Sequence, residues 1–186
     1  MIIGHIDMIK LKEMAKKLPD IPNNIRIHDT GMKKSGEIKR LFSVNIKKQK
    51  SDDKPVGFWY GFGNSWLEWC QSEMPHWIGG LLYEIIIPSN KNILVMKTPK
   101  ELKQFTEKYY DRDAMSNEGA KKWYIDWNRV ALEYEGIEIN PYVYQMRFKL
   151  GWYYSWDVGS GCIWNTKGCK VKKIGKNLRL SKGIKL

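Results

Sequence analysis

Apolar residues at Ile6, Ile9, Leu11, Met14, Ala15 and Leu18 recur near the 3.6-residue period of a helix, and Pro19 and Pro22 stop the run. The pattern then changes to alternation. In NIRIHD (24–29) Ile25 and Ile27 take one face and Arg26 and His28 the other, as in a strand with one buried side. A polar loop leads to IKRLFSVNI (38–46), a second strand candidate, and Pro55 interrupts the polar stretch that follows. VGFWY (56–60) reads as a short aromatic strand. It runs through Gly-Phe-Gly into a helix from Asn64 or Ser65 to about Met74, with Glu68 placed to reach back toward the cap. On that helix Trp66 and Trp69 are three apart and are expected to face the core together.

LLYEIIIP (81–88) and NILVMK (92–97) are β-rich runs joined by the turn PSNK. The clearest helix signal is TPKELKQFTEKYY, where Thr98 caps, Pro99 opens the first turn and Glu101 completes a capping box. A second helix is predicted from Asp126 to Glu133 or Tyr134, and GIEIN (136–140) and CIWN (162–165) read as further strands. Strands and helices mix without the regular βαβ alternation of a doubly wound sheet. The predicted class is therefore α+β, a single domain over residues 1–166 with a largely antiparallel sheet and a few short helices.

Composition adjusts this picture in three ways. With 186 residues, 42 % of them hydrophobic, one core suffices. No run approaches the ~20 apolar residues of a membrane helix, and the N-terminus, with Asp7 and Glu13, lacks a signal-peptide cleavage pattern. An intracellular setting, cytoplasmic or nuclear, without membrane contact is expected. The cysteines Cys70, Cys162 and Cys169 are odd in number and lack CxxC spacing, which argues against a disulfide framework and against a metal site. The net charge of +12 is uneven: residues 167–186 hold eight Lys or Arg and no acid, whereas the other 166 residues hold 24 basic and 20 acidic side chains. Residues 167–186 read as a basic C-terminal tail able to contact nucleic acid or an acidic protein, or simply as a solvated terminus, and its Val171, Ile174, Leu178, Leu180 and Ile184 allow part of it to pack as a strand or helix.

Candidate chemistry is sparse. There is no phosphate-binding G-x-x-x-x-G-K-[ST] loop, GFGNSW lacks the third glycine of a dinucleotide fingerprint, and GSGC (159–162) does not have nucleophile-elbow spacing. Cys162 is either a nucleophile served by a distant histidine or a buried thiol. Glu133, Glu135 and Glu138 crowd LEYEGIEI, and on its strand Glu138 projects opposite Ile137 and Ile139. There it is either an ordinary solvent-facing residue or a carboxylate able to bond a sugar hydroxyl and stabilise a cationic centre. Asp157, among Trp152, Tyr153, Tyr154 and Trp156, is either an acid in apolar surroundings or a turn residue ahead of Gly159. Arg26 is either a bidentate phosphate ligand or a rim residue. The tryptophans are either base-stacking platforms or core.

The order of these pieces carries more than any one of them. A basic residue on an early strand precedes GFWYGFGNSWLEWC; a strand pair and a helix follow, and YEGIEI comes on a late strand. Over residues 24–140 that order resembles the ADP-ribosyltransferase superfamily. The resemblance implies an ADP-ribosyltransferase-like sheet and NAD as substrate. It implies that Arg26 or His28 holds NAD, that Tyr60, Gly61 and Ser65 lie beside nicotinamide, and that Glu138 holds the ribose and stabilises the oxocarbenium-like centre. The expected site is a cleft walled by residues 57–66 and closed by Glu138. ADP-ribose would pass to a macromolecule reached through the basic tail. The alternative is a non-catalytic basic protein, structural or associated with nucleic acid, in which the tail carries the affinity. A hydrolase or nuclease built on Asp157 and a histidine is a third possibility.

Overall fold

The computed structural model describes residues 18, 20–31, 37–77, 79–111 and 123–176. Apart from Leu18 and the Pro22 beyond it, the predicted first helix lies outside the described residues, as does the end of the basic segment, 177–186. Strands β1 (Arg26–Asp29), β3 (Phe58–Phe62), β4 (Leu81–Ile86), β5 (Ile93–Met96), β7 (Gly136–Ile139), β8 (Ser160–Ile163) and β9 (Lys170–Lys176) form one sheet, and β2 (Ser51–Asp52) pairs separately with β6 (Ile125–Asp126). The helices are α1 (Ser65–Ser72), α2 (Pro99–Tyr109) and α3 (Trp127–Glu133). The chain is a single α+β domain with a mostly antiparallel sheet.

Strand order is β5-β7-β8-β3-β1-β4-β9, with β5–β7 as the parallel pair. Parallel neighbours need a crossover, which α2, β6 and α3 supply between Met96 and Gly136. Paired residues share a face. Val95, Glu138, Gly161 and Tyr60 are successive partners across four strands, so their positions line one face. On this face Tyr60, Phe62, Tyr83, Ile85 and Ile163 form a small core with Ile38 and Leu41 packed against it. The opposite face, through Met96, Ile137, Ile139 and Cys162, is covered by the larger core of α2, α3 and the Trp152–Trp156 turn.

Local chemistry sets the helix ends. The Thr98 side chain accepts from Glu101 N–H while the Glu101 carboxylate accepts from Thr98 N–H, so the capping box forms with Pro99 behind it. Asp126 caps α3 by accepting from Arg129 N–H. At α1 Asn64 occupies the cap position but its side chain makes no capping bond, and Ser65 Oγ donates instead to the Gly159 carbonyl. Gly63, at φ +54°, makes the turn from β3 into α1, where a Cβ would stand 2.6 Å from Asn23 Oδ1. Trp66 and Trp69 are half-buried and stacked with centroids 5.2 Å apart, both against the small cluster of Ile21, Ile27, Leu67, Cys70 and Leu82.

Three expectations are corrected. Residues 38–46 do not form a strand. Their inward residues Ile38 and Leu41 are three apart rather than alternating, so the segment lies across the sheet, held by Ile38 N–H to the Tyr83 hydroxyl and Val44 N–H to the Trp164 carbonyl. The strand read at 162–165 begins and ends two residues earlier, because Trp164 and Asn165 turn away to donate to the Glu135 carbonyl. The folded sheet also passes the boundary drawn at residue 166: β9 pairs along β4 from Leu81↔Lys176 to Ile86↔Lys170. No helix among the described residues is long and apolar enough to cross a membrane.

Candidate functional site

Gly161 occupies the middle of the sheet with β3 on one side and β7 on the other. Without a side chain there, the Tyr60 ring lies over the β8 backbone and its hydroxyl donates to Glu138 Oε1 at 2.8 Å. Arg26, on the same face of β1, completes the cluster: Nε–H donates to Oε1 at 2.6 Å and Nη2–H to Oε2 at 3.3 Å. Its guanidinium also stands 5.8 Å from the Phe62 ring centroid. Residues 26, 60 and 138 are thus joined through side-chain bonds although 112 and 78 positions separate the bonded pairs.

The three groups set one another's ionisation. Burial of Tyr60 first, and the Glu138 charge second, push the phenol well above its ordinary pKa and keep it a donor. Burial acts to lower the pKa of Arg26, but the hydrogen bond and charge of Glu138, with Tyr60, outweigh it and the guanidinium is held above its usual value. The Glu138 side chain is 6 % exposed and that of Arg26 30 % exposed, so the carboxylate is reached past the arginine. Oε1 accepts two short bonds; Oε2 is held only by the longer Nη2 contact among the described residues.

The remaining predicted site residues do not all join this cluster. His28 lies on its face, with its ring 4.4 Å from Phe58 and Nδ1–H donating to the Trp59 carbonyl at 2.8 Å. Gly61 and Ser65 do not: Gly61 turns to the other face, where a Cβ would meet Trp66 Cβ at 3.0 Å and Ser65 Oγ at 3.5 Å. The cleft there, about 270 Å³, is bounded by Trp59, Gly61, Trp66, Trp156, Asp157 and Ser160, among others. The expectation that Glu138 closes a cleft walled by 57–66 is therefore corrected, since alternation along β3 sends Trp59 and Gly61 to one face and Tyr60 to the other.

The aromatic block 152–158 was legible in the sequence only as a cluster of rings. It walls the cleft through Ser155, Trp156, Asp157 and Val158 and leads into β8. Trp156 Nε1 is buried without a hydrogen-bond partner among the described residues. Asp157 is neither isolated nor a free acid, because Arg147 Nη2–H donates to its Oδ1 at 2.9 Å. The alternation Ser160, Gly161, Cys162 was the available signal for Gly161, and in the sequence it read only as a failed nucleophile elbow. Cys162 is fully buried and its thiol pKa is pushed well up, which keeps it protonated and inert. Glu133 and Glu135 have structural partners: Lys108 Nζ bonds the first at 2.6 Å, and Lys91 Nζ, Asn92 N–H and Asn165 Nδ2 bond the second. Compared with known proteins, the chain matches no family model, no curated protein and no solved structure.

Proposed function

We propose that the domain binds NAD at the Arg26–Tyr60–Glu138 cluster and transfers ADP-ribose to a macromolecular acceptor. The observation that carries this reading is the convergence of those three side chains from β1, β3 and β7 onto one carboxylate. Burying Glu138 costs desolvation that offsets much of its attraction to the partly exposed Arg26, so the pair adds little stability and is better accounted for by function. Arg26 uses two of its five N–H donors on Glu138. The others suit the NAD pyrophosphate. A ribose hydroxyl takes the place of the long Nη2 contact at Oε2, which puts the carboxylate beside the anomeric carbon.

In the transfer the bond between ribose C1′ and the nicotinamide nitrogen breaks, and nicotinamide leaves with the electron pair. Positive charge develops over C1′ and the ring oxygen, where Glu138 offsets it. An oxygen or nitrogen of the acceptor then bonds C1′ and gives up its proton to solvent. Tyr60 and Arg26 hold the carboxylate in place through these steps.

Calorimetric titration with NAD tests the binding half. Arg26→Lys keeps the charge but loses the planar fork, and is expected to weaken NAD by about tenfold. Unchanged affinity in that variant removes Arg26 from the site, and no NAD binding by the unsubstituted protein removes the reading.

A further inference from the structure

We propose that the turn 142–157 and the indole-walled cleft beside it bind single-stranded nucleic acid, with one base seated in the cleft. Tyr144 and Phe148 are more than half exposed and Tyr154 nearly so. Their rings meet edge-on or tilted, Tyr144–Phe148 at 6.3 Å and 86° and Phe148–Tyr154 at 5.8 Å and 57°. Such a contact covers at most part of each ring, and their exposure leaves surface on all three for stacking. Arg147 sits among them, its guanidinium 5.3 Å from the Tyr154 centroid and 6.0 Å from that of Phe148. The turn 142–157 carries Arg147 and Lys149 and one acid, Asp157, which Arg147 engages. Cations interleaved with exposed rings form the sequence-tolerant surface that single strands use, with bases on the rings and phosphates on the cations.

The platform continues into the cleft. Asp157 lines the cleft and holds Arg147 at 2.9 Å, and Ser155 and Trp156 follow Tyr154 directly into its wall. Trp59, Trp66 and Trp156 give it three indole walls, and Lys54 Nζ lies 5.5 Å from the Trp59 ring. Trp156 is 1 % exposed, and its Nε1–H lacks an acceptor within the described protein. The half-buried indoles of Trp59 and Trp66 border the cleft and suit the faces of a planar base.

This inference does not rest on the NAD reading: Tyr60 also borders the cleft, but the substitutions that test it leave the Arg26–Tyr60–Glu138 cluster intact. Fluorescence anisotropy of labelled oligouridylate, oligothymidylate and a duplex of equal length, with the full chain and no NAD, tests it. The single strands bind more tightly than the duplex, and Tyr144→Ala and Phe148→Ala each raise Kd by about 5- to 150-fold. Lys149→Ala weakens binding alike for all sequences and flattens its salt dependence. Absence of single-strand binding, equal affinity for the duplex, or unchanged affinity in the Tyr144→Ala/Phe148→Ala double variant overturns the proposal. Capture of an acidic protein without single-strand binding overturns it equally.

Discussion

At Gly161 a methyl group would stand 2.6 Å from two carbons of the Tyr60 ring and 2.7 Å from its hydroxyl, with strands on both sides preventing retreat. Gly161→Ala is therefore expected to destabilise the domain by about 1–3 kcal/mol, a drop of roughly 3–10 °C in Tm, and to part Tyr60 from Glu138. Calorimetry reads the first effect and loss of NAD binding the second. Ionisable groups away from the cluster give a pH prediction. Burial raises the Cys70 thiol to about 12 and the Tyr109 and Tyr142 phenols to about 12. In the unfolded chain such groups ionise near 8.5 and 10. The folded state holds these protons more tightly, so their contribution is complete below about pH 8.5 and is lost as pH rises toward 12. Denaturation midpoints are expected to fall steadily above roughly pH 9; midpoints that stay level to pH 11 contradict this.

At the scale of elements, sequence and structure agree where a local signal is complete and differ where tertiary contacts decide. The capping box at Thr98 and Glu101 and the β-branched runs of β4 and β5 state their own structure. The segment 38–46 has the composition of a strand, yet its apolar residues 38 and 41 serve the sheet as a cover. Residues 170–176 show the converse. Their lysines suggested a tail, but Val171 packs on the small core while Lys170, Lys172 and Lys173 face solvent on an edge strand. Lysines on an edge discourage pairing with another sheet. A chain ended after Thr166 loses β9 and its partial burial of β4, and is expected to melt at least about 5 °C lower than one ended after Lys176. Equal melting of the two would mean that β9 adds nothing to the fold.

For the whole molecule, the sheet's two faces separate what the sequence placed in a single cleft. Arg26, Tyr60 and Glu138 were joined in the sequence only by the order of motifs, with His28 as an alternative to Arg26, while alternation set Arg26 opposite Ile27 and Glu138 opposite Ile137 and Ile139. Their mutual contact was not legible, since it depends on β8 entering between β3 and β7 from the far end of the chain. Nor could a linear pattern assign Gly61 and Trp66 to the opposite face before the register of β3 was known. The central claim is that the buried carboxylate cluster performs chemistry on NAD. Nicotinamide release, followed for the full chain and for Glu138→Gln after matching circular dichroism, tests it most directly. Glutamine keeps the shape and the acceptor oxygen but not the charge, so release is expected to fall about 10²-fold or more while the fold persists. Release at the unsubstituted rate in Glu138→Gln, or none from the unsubstituted protein, would contradict the account.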